Sequence, residues 1–157
     1  CPGAEFGPSK RWPAEYFAEV VKDYINKNWN VICLGSENDL STGKEIESIN
    51  DLDKEDKFLN LTGKTSIGDA IDLLAHCKKV VTNDSGLMHV AAAVKTPLVA
   101  LYGPSSPEYT PPLLDKKVII RKTKGYEKIR KGESIHGYHH SLLSIKPGEV
   151  MTALEKL

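Results

Sequence analysis

The chain has 157 residues, 40% of them hydrophobic, and its 21 Lys and Arg balance 21 Asp and Glu, which fits one domain with one core and argues against a nucleic-acid partner. No run approaches the roughly 18 apolar residues of a membrane span, and no signal peptide opens the chain. Three widely spaced cysteines, Cys1, Cys33 and Cys77, suit buried thiols in a reducing, cytoplasmic compartment better than a disulfide framework.

Cys1-Pro2-Gly3 resembles the turn just after a strand, so the chain is expected to start inside a larger protein, with the strand before that turn absent. Residues 1–13, CPGAEFGPSKRWP, are rich in glycine and proline and read as a loop. Pro13 suits the first turn of a helix, where its missing N–H costs nothing. From there to Asn28 the residues Tyr16, Phe17, Val20, Val21, Tyr24 and Ile25 recur at helical spacing and predict one buried stripe. Trp29 to Gly35, WNVICLG, reads as a strand whose continuous apolar run predicts helices on both faces. A polar helix follows at about residues 41–50, then a charged, solvated segment from Asp51 to Lys57 and a short strand at Phe58 to Leu61. Ser66 and Asp69 have the spacing of a capping box and start a helix with Ile67, Ala70, Ile71, Leu74 and Ala75 inside.

Lys79 to Leu101 is the organising unit: a β-branched strand, the polar turn Asn83-Asp84-Ser85-Gly86, a small-residue helix, and a buried strand after Pro97. Tyr102 to Pro112 has four prolines in eleven residues and predicts a rigid loop. Lys117 to Arg121 reads as another strand, and residues 122–145 have no clear period. Pro147 opens a terminal helix with Val150, Met151, Leu154 and Leu157 on one side. Strands alternating with helices predict an α/β fold, a Rossmann-like open parallel sheet with helices on both faces. In such a sheet the ligand lies outside the carboxyl ends of the strands. The loops at residues 3–12, 35–40, 62–66, 83–89 and 102–112 would meet there.

At the start of the helix after Asp84, the N–H groups of Ser85, Gly86 and Leu87 could hold a phosphate or diphosphate, and Gly86 would let it approach the backbone. The alternative is that Asp84 or Ser85 simply caps this helix. His89, on the first turn, could reach a phosphate or a sugar hydroxyl, or be a structural histidine. Lys10 and Arg11 sit where a cation can face an anion, or where it is merely solvated. Glu37 or Asp39 could accept from ribose hydroxyls, although Asp39 fits helix capping better. Several motifs fail: there is no G-x-G-x-x-G, Gly63-Lys64-Thr65 lacks its upstream glycine, and Ser85 lacks the nucleophile elbow. His136, His139 and His140 could bind a metal, with neither cysteine nor firm helix to fix them.

Taken together, CPGAEFGPSKRWP at residues 1–13, the LGS turn at 34–36, TNDSGLMHVAAA at 82–93 and PLVALYGPSSPEYTPP at 97–112 resemble the C-terminal half of bacterial ADP-heptose:lipopolysaccharide heptosyltransferases. GYEKIRKG at 125–132 is similar to the type II subgroup of that family. The resemblance implies the C-terminal half of a GT-B glycosyltransferase: residues 1–157 as the donor-binding domain, with the N-terminal acceptor domain absent. It implies an inverting enzyme that moves L-glycero-D-manno-heptose from ADP-heptose onto the lipopolysaccharide inner core at the cytoplasmic face of the inner membrane. By matching position, Lys10 is similar to the family's diphosphate-contacting lysine, which stabilises the leaving group, and Glu37 to its ribose-contacting acid. Asp84 matches the acid near the heptose hydroxyls, Ser85, Gly86 and Leu87 the backbone cradle, and His89 the histidine near phosphate and sugar. Ser9 and Thr62 are implied lining residues. The general base would lie in the N-terminal domain, so the fragment is expected to bind donor without turning it over. No tightly held metal or cofactor is implied, and Mg2+ could assist without protein ligands.

The lysines and arginines of residues 116–131 are either a solvated face or a patch for the phosphorylated, membrane-anchored acceptor, with peripheral association to the inner membrane. Two other readings are a GT-B enzyme using another nucleotide sugar and a non-catalytic nucleotide-binding module.

Overall fold

The structure, a computed structural model, describes the backbone of residues 1–157 and the side chains of residues 1–49 and 51–157. The first helix, α1 (Ala14–Asn26), follows Pro13 and buries Phe17, Val20, Val21, Tyr24 and Ile25 along the predicted stripe. Trp12 anchors its start: the indole is fully buried, meets Phe17 edge-on at 4.9 Å between ring centres, and donates from Nε1 to the Ile145 carbonyl at 3.0 Å.

The chain continues through β1 (Val31–Cys33), α2 (Leu40–Ser48), β2 (Phe58–Asn60), α3 (Ile67–His76), β3 (Val80–Asn83), α4 (Gly86–Ala93), β4 (Leu98–Tyr102) and β5 (Lys117–Arg121). A single turn, α5 (His140–Leu143), and α6 (Pro147–Glu155) close it. All strand pairings are parallel: β1 with β2, and β3 with β4 with β5. Every residue of β4 is fully buried, because its two faces feed two separate cores. Val99 and Leu101 pack with the apolar side chains of α1 and α6, while Leu98, Ala100 and Tyr102 pack with those of α3 and α4. A strand covered on both faces cannot alternate polar with apolar, which is why its sequence is a continuous apolar run.

Several expectations need correction. On α3 only Ala70 and Leu74 of the predicted inner face are buried, while Ile67, Ile71 and Ala75 are exposed. The segment from Asp51 to Lys57 is not simply solvated: residues Ile49–Lys54 form a 3-10 helix that buries Leu52 completely. Residues 122–139 form no regular element, but the Glu127 N–H donates to the Pro104 carbonyl at 2.9 Å and the Ser9 N–H to that of Arg130 at 3.1 Å. Finally, the strand expected from Trp29 to Gly35 shrinks to three residues, and the sheet is in two pieces. Cys33 still joins the α1–α6 core and Ile32 and Leu34 the α3–α4 core, so β1 occupies the same layer as β4. Between β1 and β3 lies a cavity of about 420 Å3, lined by Val31 and Cys33 on one side, Val80 and Val81 on the other, and Val21 and Leu74 from the two helix layers. Cys1 sits at its end. Its amino group donates to the Val81 carbonyl at 2.8 Å, and its carbonyl accepts from the Asn83 N–H at 3.4 Å, the alternation of a parallel ladder.

Candidate functional site

Asn83 ties the first loop to the carboxyl end of β3. Its buried side chain accepts from the Trp12 N–H at 3.1 Å and donates to the Pro2 carbonyl at 2.7 Å, so both ends of the loop hang on one amide. The loop then delivers Lys10 to the next residue of the turn: the ammonium lies 2.6 Å from Asp84 Oδ2 and over the Phe6 ring at 5.2 Å. Asp84 is buried, and its other oxygen accepts from the Thr110 hydroxyl at 3.1 Å. An acid in this setting is held by a cation and a hydroxyl, and three loops distant in sequence converge on it.

Beside this pair, α4 begins with Ser85 as N-cap, and no side chain caps it. A Cβ built on Gly86 would have no neighbour within 4 Å. The start of this eight-residue helix is therefore open at Gly86 and carries no side-chain cap, with the positive end of the helix dipole behind it. Ser85, Gly86 and Leu87 line a cavity of about 360 Å3 at the strands' carboxyl edge, together with Gly3 to Glu5, Gly35, Ser36, Asp39, Thr65 and Ser66. It is smaller than the cavity between β1 and β3, but it alone of the two is formed by edge loops and holds the uncapped helix start.

Not every predicted residue lines this space: Lys10 and Asp84 sit beside it, and Glu37 and His89 are outside it as well. Glu37 is exposed in the turn after β1, next to Ser36, and His89 is exposed on the first turn of α4. Asp39 is a cap: its carboxylate accepts from the Ser36 N–H at 2.9 Å and hydroxyl at 2.8 Å, and Arg11 approaches it at 3.4 Å. Arg11 is thus turned toward α2 rather than toward Lys10. Ser9 and Thr62, expected as lining residues, are buried and do not line this cavity. Ser9 is fully buried, its hydroxyl donating to the Ile129 carbonyl. Thr62 is also buried, its hydroxyl donating to Asn60 Oδ1 at 2.7 Å under Gly43. A hydroxyl residue beside an edge loop can face either way, and nothing in its local sequence decides which. Thr65, missed in sequence, lines the cavity instead, as does the backbone of Gly3, whose Cβ would collide with Asp39 at 2.3 Å.

In the basic stretch, Lys122 pairs with Glu149, and Arg130 lies over Phe6 at 5.4 Å. Among the described residues no helix is long and apolar enough to cross a membrane.

The model of glycosyltransferase family 9 (heptosyltransferase) matches residues 1–139. Lipopolysaccharide heptosyltransferase 2 of Salmonella typhimurium is 51% identical over 157 residues, all of this chain and 45% of that protein. The solved structure of E. coli ADP-heptose lps heptosyltransferase II superposes with a TM-score of 0.89 at 47% identity, over 99% of this chain and 44% of that one. A glycosyl transferase family 9 structure from Veillonella parvula superposes with a TM-score of 0.82 at 30% identity, covering 99% of this chain and 44% of that one. The chain therefore spans less than half the length of these relatives.

Proposed function

The chain belongs to glycosyltransferase family 9, the heptosyltransferases, and we propose that it is the sugar-nucleotide half of a GT-B enzyme that transfers heptose from ADP-heptose to the lipopolysaccharide inner core. The observation that carries this is the open, uncapped start of α4 at Ser85–Leu87 with Lys10 held beside it on Asp84. An acceptor hydroxyl attacks the anomeric carbon in line, its proton passing to a base in the other domain, as the carbon–oxygen bond to the diphosphate breaks. ADP departs with the bonding electron pair, and the negative charge that builds on it is met by the helix amides and the Lys10 ammonium. Only one Lys10 N–H is spent on Asp84, so the ammonium can bridge the acid and the diphosphate. Glu37 and His89 lie outside the cavity lining, next to Ser36 and Val90 that belong to it, and turn to the ribose hydroxyls and to the phosphate or sugar only once donor is bound. Asp84, fixed by two partners, orients the heptose end. The protein works in the cytoplasm, at the inner face of the membrane where its acceptor is anchored, and Mg2+ travels with the nucleotide rather than with a protein site.

Calorimetric titration of the folded chain and of Lys10→Ala with ADP-heptose, ADP and UDP tests this. ADP and ADP-heptose should bind better than UDP, and Lys10→Ala should weaken both by roughly 10- to 100-fold, the range for a hydrogen bond to a charged group. Equal binding by the variant, or a preference for UDP, would overturn the assignment.

The domain boundary is part of the same proposal. The cavity between β1 and β3 takes an extended segment preceding Cys1, which completes one parallel sheet ordered β2-β1-segment-β3-β4-β5. The supports are the apolar lining from both helix layers and the ladder bonds of Cys1 with Val81 and Asn83. A peptide N–H also suits this place better than an ammonium, whose pKa burial lowers from the ordinary value. Val31 and Val80 donate to Lys57 and Pro97 on the far sides of their strands, so the N–H groups of Ile32 and Val81 turn toward the cavity. Amide exchange at Ile32 and Val81 should be slow in the longer protein and fast in residues 1–157. Equally fast exchange in both would remove the segment from the cavity.

A further inference from the structure

Residues 126–140 are tied to the loop that carries Lys10, through Ser9, and to the loop after β4, through Pro104, and one cluster on them has no part in the proposed transfer. Among the three histidines that the sequence singles out, the fold groups His139 and His140 and replaces His136 with Glu133. The turn that does this is tight. The Gly132 N–H donates to the Gly137 carbonyl at 2.6 Å, Gly137 adopts a φ of 77°, and a Cβ on Gly132 would strike the Tyr138 carbonyl oxygen at 2.2 Å. Glycine at both positions lets the backbone cross itself and brings Glu133 back onto His139.

His139 is fully buried, yet its Nε2 has no hydrogen-bond partner. A buried ring nitrogen without a partner is costly and calls for a ligand. It faces Glu127 Oε2 at 3.8 Å and Glu133 Oε1 at 3.9 Å, and Glu133 Oε1 is 3.0 Å from His140 Nδ1. Those separations are too long for a hydrogen bond from Nε2, but they suit a shared ion. With bonds of about 2.0–2.2 Å, a tetrahedral metal separates its ligand atoms by roughly 3.4 Å, a value the observed spacings bracket. On the far side of the ring, His139 Nδ1 is 2.6 Å from the Ser141 hydroxyl. Nδ1 also accepts from the Ser141 N–H at 3.3 Å and so caps α5; ligation through Nε2 moves the ring proton to Nδ1, which exchanges that bond for one donated to the hydroxyl, the outer bond that orients metal-binding imidazoles.

We propose that Glu133, His139 and His140, with Glu127 as a fourth donor, bind a divalent ion of the zinc class, and that the ion pins residues 126–140 against the loop carrying Lys10. Two imidazoles with carboxylate select a borderline transition metal over Mg2+, which prefers oxygen alone. The carboxylates offset the ion's charge. The mechanical link is direct, since the Ser9 N–H donates to the Arg130 carbonyl and the Ser9 hydroxyl to that of Ile129. Metal binding stands independently of what the α4 cradle holds, and so does its test.

Metal-free chain is titrated with Zn2+, Co2+ and Mg2+, followed by calorimetry, by visible absorption of the cobalt complex and by melting temperature. The expected result is one Zn2+ or Co2+ per chain, no response to Mg2+, and a Tm rise of about 5–10 °C at roughly 100 times Kd. Glu133→Gln and His140→Gln are at exposed positions, keep the fold and should each weaken the ion by at least about 10-fold. Failure of the folded chain to bind Zn2+, or unchanged affinity in both variants, would overturn the proposal.

Discussion

α3 and α4 both begin with a serine N-cap after an edge loop and treat it oppositely. At α3 the Ser66 hydroxyl accepts from the Asp69 N–H at 3.1 Å, and the Asp69 carboxylate takes the Ser66 N–H at 2.8 Å and its hydroxyl at 2.7 Å. The helix start is closed by its own side chains. At α4 the residue three positions on is Met88, fully buried against Tyr102 rather than turned back to the cap, and the Ser85 hydroxyl lies 3.4 Å from that of Thr82. The core has taken the position that a capping carboxylate would need. What remains are amides with no side-chain partner, and a ligand rather than a cap can then satisfy them. Serine before a helix is thus no guide to binding; the residue at the third helical position separates the two cases.

Each helix also has a glycine in its first turn, which gives the sharpest contrast. A Cβ on Gly86 meets nothing within 4 Å, and one on Gly68 meets only the Ser66 hydroxyl at an ordinary 3.6 Å. Neither backbone needs glycine, so both Gly86→Ala and Gly68→Ala should fold and gain up to about 1 kcal/mol in urea unfolding. Only Gly86→Ala should lose nucleotide, by about 10-fold or more in an ADP titration, because its methyl stands where the diphosphate meets the backbone. Equal ADP affinity in the two variants would mean that α4 does not form the cradle.

The difference between these two helices was legible in part. The Ser66–Asp69 box is a three-residue spacing and can be read directly, as can the buried run of β4 and the stripe of α1. Lys10 and Asp84 could each be singled out from neighbouring residues, but their pairing spans 74 positions and leaves no local trace. The same holds for Ser9, whose partner is 120 residues away, and for Asn83, which reads as one more turn residue although it carries both ends of the first loop. Leu52 was lost among charged neighbours, since one apolar residue makes no period. Residues 122–139 were illegible for a related reason: they are shaped by what they lie on, not by a repeat of their own.

The serines give a smaller effect. Ser66→Ala should cost about 1 kcal/mol, the usual loss of a working N-cap, whereas Ser85→Ala should cost about 0.3 kcal/mol or less because no cap bond is broken. Acid separates them further. The Ser66 hydroxyl and N–H hold the Asp69 carboxyl below its ordinary pKa, so folding binds the deprotonated form more favourably. That contribution is present above the unfolded carboxylate value of about 3.9 and is lost as pH falls through the depressed folded value. The stability gap between wild type and Asp69→Asn should therefore be constant near neutrality and narrow steadily below about pH 4, while the protection factor of the Asp69 amide, whose N–H is the one bonded to Ser66, falls over the same range. A gap that persists unchanged to low pH would mean that the carboxylate does not hold the α3 start closed, and the contrast with α4 would then rest on the open space at Gly86 alone.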